Sequence, residues 1–466
     1  MELNNGYIQK SDDEDRLSML TDDVLLSILE RVDITTATRT SVLSTRWKHL
    51  PWLFRELTID VREFLSVPPP NPIEVGHMDE AMASLTKAAT SFWATTRSEA
   101  TITRLQLKLY LVNTYSDVIG PLVSQATETG TLQDLDLAIL DEKEPDDCYE
   151  EEMRQQARTV DGFFSAYPSV LRCLSKLELY NVCFAEWDLH HLLFDCCKQL
   201  QHLSLCNCDA GGLSPWKIQA PDSKLSLLEL DFCCLGKLEV LCLPKLEKLR
   251  WDTWMFPLTP LSFGVAPFLK ELNLICGASV HHQGFDLSKL WIKPEGKLLC
   301  AAFKKLRKLS LHGIFVEFDL LWMMVLLEGA PSVEIFDIEI WEHPCVVDTE
   351  GRRKTYGERT NPSWNIAEFK SCKEWLLKEV QVTGFSPMEQ QLALLRAVMQ
   401  RASNLQTIVL KHYQPCDYCD EIGALPRCER LPPERVFPKG KGEQDAAVEQ
   451  LIRDMPDCNV QIIFGN

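Results

Sequence analysis

Residues 174–179 read LSKLEL, and the same arrangement returns as LQHLSL at 200–205, LSLLEL at 225–230, LKELNL at 269–274 and LRKLSL at 306–311. In every copy the apolar residues occupy the first, fourth and sixth places. The last two, one residue apart, have the period of a short strand with one inward face, and the first anchors the incoming turn. Two further copies, Leu238/Leu241/Leu243 and Leu246/Leu249/Trp251, sit close together between these. Weaker copies lie upstream at Ile102/Leu105/Leu107 and Leu132/Leu135/Leu137, and downstream at Val333/Phe336/Ile338, Leu377/Val380/Val382 and Leu405/Ile408/Leu410.

A single copy leaves one apolar face bare, and only stacked neighbours can cover it. The pattern therefore predicts a continuous solenoid whose short strands form a parallel sheet. The step from 174 to 200 to 225 falls within the roughly 20 to 29 residue period of leucine-rich repeats, and the longer gaps imply insertions. Cys208 and Cys233 each stand eight positions after the first leucine of their copy. Such repeats favour Asn or Cys there, because the side chain can hydrogen-bond the turn that follows the strand. Between strands, WDLHHLLFDCCKQL at 187–200 and FDLLWMMVLLEGAPSV at 318–333 have helical spacing, the second stopped by Gly329 and Pro331. The fold class is α/β, with strands and helices alternating through much of the array.

The chain has 466 residues, 45% hydrophobic and 25% charged, which are ordinary values for a folded protein. Its 48 basic and 67 acidic residues leave a formal charge of −19, which argues against phosphate backbones or anionic membranes as partners. Acid is concentrated in SDDED at 11–15 and DEKEPDDCYEEE at 141–152, runs expected in solvated loops. The opening residues carry no secretory pattern, and LLWMMVLL at 320–327 is far shorter than the roughly 20 apolar residues that cross a bilayer. A cytoplasmic or nuclear location is expected, with the 18 cysteines reduced and used as small buried residues.

Ahead of the repeats, DRLSMLTDDVLLSILERVDITTATRTSVLSTRWKHLPWL spans 15–53. Val24, Leu25, Ile28, Leu29 and Val32 share one helical face, Thr21 can cap that helix, and Asp22 and Asp23 complement its positive end. A second helix carrying Val42 and Leu43 and a third carrying Trp47 and Leu50 complete a three-helix module. So small a module buries little surface by itself, and it is expected to dock on a second polypeptide.

These residues resemble the plant F-box, whose pattern is D-R-L-S-x-L-P-D-x-L-L-x-x-I-L followed by T-S-V-L-S-x-R-W. Asp15 to Leu20, Asp22, Leu25, Leu26, Ile28 and Leu29 match, as do Thr40 to Ser44, Arg46 and Trp47; Thr21 replaces the usual proline. LKEVQVTGFSPMEQQLALLRAVMQRASNLQTIVL at 377–410 is similar to the FBD region that closes many such proteins. The resemblance implies a Skp-type adaptor subunit as partner and, through it, a cullin scaffold. Carried over by position, the adaptor contact comprises Leu17, Leu20, Leu25, Ile28, Leu29, Val42, Leu43 and Trp47. It also implies a protein substrate, of unknown identity, presented by the repeats for ubiquitin transfer, with no nucleic acid, membrane or cofactor involved.

The implied organisation is a disordered acidic start at 1–14, an F-box at 15–60, a linker with a first helical segment at 61–100, repeats at 101–370, FBD-like terminal repeats at 371–412 and an extension at 413–466. His412, Cys416, Cys419 and Cys428 offer one Cys-x-x-Cys pair with zinc spacing, but a single pair with distant companions also reads as a reduced-thiol turn. No Gly-x-Ser-x-Gly, His-Glu-x-x-His, Walker or dinucleotide-binding pattern is present, so no catalysis is expected of this chain. The function expected is that of a substrate-recognition subunit of an SCF-type ubiquitin ligase. The alternative is a leucine-rich scaffold or ligand sensor whose F-box does not recruit the ligase.

Overall fold

The computed structural model describes residues 19–29, 31–32, 36, 40, 46–47, 50, 54–66, 73–94, 102–112, 115–143, 145–185, 187–212, 214–254, 261–276, 302–315, 320–321, 323–341, 374–412, 436–453, 455 and 459–465. The chain divides into two compact units, the first comprising Met1–Ala138 with Ala166–Cys173, the second Ile139–Ser165 with Leu174–Asn466.

The first unit holds helices α1 (Asp22–Leu29), α2 (Val75–Ala94) and α3 (Ser116–Glu128), with strands β1 (Glu56–Asp60), β2 (Arg104–Leu109) and β3 (Asp134–Ile139) in the order β1-β2-β3. Leu57 and Ile59 of β1 lie opposite Leu105 and Leu107 in parallel register, and all four are buried. In α2 the buried residues Met78, Ala81, Met82, Leu85 and Ala89 recur at three- and four-residue steps, which gives the helix a single core-facing stripe. Gly120 lets α3 approach Tyr167, since a Cβ there would lie 2.2 Å from the ring. Of the three helices expected at 15–60, α1 is described in full. The positions of the other two fall mostly outside the described residues, as do 1–14 and 67–72 of the expected linker.

The second unit opens with α4 (Glu150–Ala166), which buries Met153, Ala157, Val160, Phe163 and Phe164 along one side. Its first turn is Glu150, Glu151 and Glu152, so the acidic run expected as loop ends inside a helix. Three carboxylates beside the positive end of the helix dipole favour that start.

Ten parallel strands follow in the main sheet: β4 (Leu174–Tyr180), β5 (His202–Cys206), β7 (Leu227–Asp231), β9 (Lys248–Trp254), β11 (Glu271–Cys276), β12 (Lys308–Phe315), β13 (Ile335–Trp341), β14 (Glu379–Thr383), β15 (Thr407–Lys411) and β16 (Gln461–Gly465). The repeated apolar positions fall into two columns. Leu177, Leu203, Leu228, Leu249, Leu272, Leu309, Phe336, Val380, Ile408 and Ile462 are successive register partners, and so are Leu179, Leu205, Leu230, Trp251, Leu274, Leu311, Ile338, Val382, Leu410 and Phe464. Up to β15 these side chains are buried, which is the cover that stacking was expected to provide.

The copy at Leu238/Leu241/Leu243 does not join that ladder. It lies in a second sheet of order β10-β8-β6, made of β6 (Pro215–Gln219), β8 (Lys237–Cys242) and β10 (Leu261–Val265). There Leu238 and Val240 face inward while Leu241 is exposed. Where copies follow one another closely, at 200, 225, 246 and 269, the returning chain is a strand rather than the expected helix. The alternations Trp216/Ile218, Leu238/Val240 and Leu261/Phe263 supply its inward face. Helical return is confined to longer spans: a π-helical turn at His191–Cys196 within the helix expected at 187–200, and α5 (Met323–Gly329) and α6 (Glu389–Arg401). A last helix, α7 (Lys441–Ile452), packs on α6 before β16. Among the described residues no helix is long and apolar enough to cross a membrane.

Candidate functional site

Two surfaces merit attention, one in each unit. On α1, Asp22 and Asp23 sit at the positive end of the helix, and the Leu25 amide donates to the Thr21 carbonyl at 3.0 Å. Arg46 fastens this start: its Nε donates to Asp22 Oδ1 at 2.7 Å and its Nη2 to the Leu20 carbonyl at 2.5 Å.

Helical geometry then divides the apolar residues of α1 between two faces. Leu25 and Leu29, four apart, are 0% and 2% exposed, and Trp47 and Leu50 are buried with the core of their unit. Val24 and Ile28, also four apart, are 44% and 41% exposed, and Val32 beyond the helix end is 40% exposed. Leu20 is half-buried and Met19 projects into solvent. Of the residues carried over as adaptor contacts, then, Ile28 and part of Leu20 are reachable, whereas Leu25, Leu29 and Trp47 are enclosed. Leu17, Val42 and Leu43 lie outside the described residues. The sequence reading did not assign Val24, Val32 or Met19 to this surface. The four-residue spacing of Val24 and Val32 with Ile28 was the available signal, but it could not be separated from that of Leu25 and Leu29 without knowing which stripe is covered.

The second surface is the open side of the main sheet, built by the residues that alternate with the buried columns. His202 and Glu229, partners on β5 and β7 at 2.6 Å, form one pair there, and Arg250 bonds Asp252 at 2.7 Å. Hydrogen bonding to His202 holds the Glu229 carboxyl below its usual range, against the opposing effect of burial. Asp231 lies opposite Asp252 on the neighbouring strand. Burial and then the Asp252 charge push the Asp231 carboxyl up, and its Oδ1 is buried without a hydrogen-bond partner. Farther along, His312 stands 3.2 Å from Asp337 and 3.8 Å from Glu339. Burial pushes Asp337 up, but the contact with His312 together with the Lys308 and Lys411 charges outweighs that and holds it below the usual carboxylate range. The face is thus a polar surface on which His202 with Glu229, Arg250 with Asp252 and His312 with Asp337 pair within the sheet.

The cysteine positions behave as turn locks. Cys208 Sγ donates to the Leu179 carbonyl at 3.6 Å, and Cys233 Sγ donates to the equivalent Leu205 carbonyl at 3.2 Å, each reaching back to the previous repeat. Burial pushes the Cys233 thiol up, and it pushes Cys197 up to about 12, so both stay protonated and unreactive at neutral pH. Among the described residues no cluster of three or more His, Cys, Asp or Glu could hold a metal ion. His412 packs edge-on against Phe437 at 5.3 Å, while Cys416, Cys419 and Cys428 lie outside the described residues. Trp216 and Trp251, tryptophans that could have anchored a partner, are buried in the core.

A family model described as the At1g61320/AtMIF1 LRR domain matches residues 165–448, and an F-box domain model matches residues 17–51. Neither describes a catalytic family. The F-box/LRR-repeat protein At5g02910 of Arabidopsis thaliana is 28% identical over 270 residues, 56% of this chain and 48% of that protein. The chain therefore spans about half the length of the curated relative it matches. A solved structure of a Bacteroides fragilis protein aligns over 73% of this chain and 80% of its own at 12% identity, with a TM-score of 0.27.

Proposed function

The chain belongs to the At1g61320/AtMIF1 leucine-rich-repeat family and carries an F-box, and from that premise we propose that it is the substrate-receptor subunit of an SCF-type ubiquitin ligase. Its F-box docks on a Skp-type adaptor, which links it to the cullin scaffold, and the open face of its repeats holds a protein substrate. The chain itself is non-catalytic and works in the cytoplasm or nucleus.

The observation that carries this reading is the bare apolar stripe of α1. Val24, Ile28 and Val32 stay exposed, as does Met19 ahead of the helix, although Leu25 and Leu29 already supply the helix with its inward face. Apolar side chains kept in water at regular helical spacing gain about 25 cal/mol for every Å² that a partner covers.

Co-purification of the full chain with the adaptor and cullin tests it. Capture by the natural chain, lost in Ile28→Asp while the unfolding midpoint is kept, is the expected result. A well-folded chain that never captures the adaptor would instead make the protein a leucine-rich scaffold with an F-box that does not recruit the ligase. Substitution of a buried residue such as Leu29 does not serve, because it would disrupt the module as well as the contact.

A further inference from the structure

The repeat leucines Leu246, Leu269 and Leu306 close the same kind of turn. Their amides donate to the carbonyls of Leu243, Ala266 and Phe303, three residues back, at 3.3, 3.3 and 3.0 Å. Three residues farther on, Leu249, Leu272 and Leu309 are register partners on β9, β11 and β12. The three turns therefore stand side by side, about 5 Å apart, along one rim of the main sheet. The residue just before each leucine holds the same place in its turn, and there the sequence sets Lys245, Phe268 and Lys305 in that order.

All three side chains are exposed, Phe268 at 39%. The cations bracket the ring, with Lys305 Nζ 3.7 Å and Lys245 Nζ 5.7 Å from its centre. A ring face attracts an ammonium but leaves its charge in place. The neighbouring cations at the strand starts are matched by acids: Lys248 by Glu271 at 3.0 Å, Lys270 by Glu247 at 2.8 Å and Arg307 by Glu334 at 2.7 Å. Among the described residues neither Lys245 nor Lys305 has an acidic partner. On a chain of formal charge −19, the rim is thus a local reversal of sign built around an aromatic ring.

Apolar surface continues beside it. Leu241 at the end of β8 and Val265 at the end of β10 are both exposed. The Leu243 amide donates to the Val265 carbonyl at 2.9 Å, which ties these two strand ends together just ahead of the Lys245 and Phe268 turns. Gly264 permits the approach, since a Cβ there would lie 2.3 Å from the Leu241 carbonyl oxygen.

We infer that this rim is a docking site for an acidic peptide segment of a partner protein, in which carboxylates flank an apolar side chain. The apolar side chain packs on Phe268, and the carboxylates accept from Lys245 and Lys305 Nζ on either side. The outer two turns are about 10 Å apart, a distance that an extended segment covers in about three residues. A run of phosphates or an anionic bilayer fits less well, because two cations do not offset the repulsion of an acidic chain for an extended polyanion. A short segment meets chiefly the local charge, since salt screens the rest beyond about 10 Å. The inference is independent of the F-box reading, as no residue of the first unit takes part.

Fluorescence anisotropy of the full 466-residue chain with the labelled peptide Gly-Asp-Asp-Phe-Asp-Asp-Gly tests it. The natural chain is expected to bind this peptide at least about tenfold more tightly than a counterpart with lysine at the four acidic places, and to release it as salt is raised. Phe268→Ala, and the double change Lys245→Glu with Lys305→Glu, should each weaken binding about tenfold while the urea midpoint is kept. Lys439→Glu with Lys441→Glu makes the same change of net charge at the start of α7, on exposed side chains, and should leave binding as it is. Equal binding of the acidic and basic peptides overturns the inference. So does binding that survives the rim substitutions, or that the Lys439 and Lys441 changes weaken as much. Capture by phosphatidylserine vesicles with no binding of the peptide would overturn it too, and would make the rim a membrane contact.

Discussion

Asn207 Nδ2 donates to Asn181 Oδ1 at 2.6 Å, joining the turns that end β5 and β4. Both residues are left-handed, with φ of 48° and 54°, and both are buried; Asn181 in turn donates to the Lys143 carbonyl at 3.1 Å. The next turn along the array has the same backbone, φ 50°, but its residue is Phe232, which is exposed. Asparagine tolerates this conformation because its short amide bonds locally, whereas an aromatic side chain has its Cβ crowded against the following carbonyl.

Phe232→Asn is therefore expected to stabilise the second unit by about 1 kcal/mol, by relieving that crowding and by placing another amide next to Asn207. Asn207→Ala should cost about 1 to 2 kcal/mol, since it strips Asn181 of its partner inside the protein. Urea unfolding of the full chain measures both, and a destabilised Phe232→Asn would show that the ring contributes packing the turn cannot spare.

The divided faces of α1 make a contrast that stability measurements can read. Leu29→Ala should cost about 2 to 4 kcal/mol because it empties a buried site, and Ile28→Ala less than about 0.5 kcal/mol. Equal losses at the two positions would mean that Ile28 is already packed within the chain.

The carboxylates of the open sheet face should give a pH-dependent signature. Asp231 binds its proton more tightly when folded, so its ionisation works against folding at neutral pH, and that penalty disappears once the pH falls below the unfolded value of about 3.9. Asp231→Asn is expected to gain up to about 1 kcal/mol at pH 7, allowing for solvent screening, and nothing at low pH. Glu229 has the opposite sign. Its depressed carboxyl supplies stability that is complete above about pH 4.3 and is lost as the pH falls through the folded value, so Glu229→Gln should weaken the fold at pH 7 and not in acid. Unfolding midpoints of the two variants across that range would show the crossed trends or refute them.

Glu328, buried on α5, accepts from Arg401 Nε of α6 at 2.8 Å, and the guanidinium lies 5.2 Å from the centre of the Trp375 ring. Removing Arg401 takes a charged partner from the buried Glu328 carboxylate. Because Arg401 is about a third exposed, Arg401→Ala should cost about 1 to 3 kcal/mol, while the paired change Glu328→Leu with Arg401→Met should recover most of it. A double-mutant cycle in urea tests this, and an additive result would show that the pair is not coupled.

Much of the array was legible from local pattern. A strand of period two with leucine at fixed places states which residues turn inward, and Leu177, Leu203, Leu228, Leu249, Leu272 and Leu309 needed nothing more to be placed in one column. Cys208 and Cys233 were legible for a similar reason, since their place after the strand puts the thiol against a carbonyl of the previous turn. The α1 helix was legible from its apolar spacing and its acidic start.

What the amino-acid order determined by itself was the inward side of the strands in the main ladder, because that depends only on a period of two along one short stretch. Partnership was decided by the tertiary structure. Leu241 and Leu249 hold the same place in their copies, yet Leu241 is exposed in the second sheet and Leu249 is buried in the main ladder, because the returning chain between closely spaced repeats has room only for a strand. Likewise Ile28 and Leu29 are neighbours on one apolar helix, and only the packing around them covers Leu29 and leaves Ile28 in water.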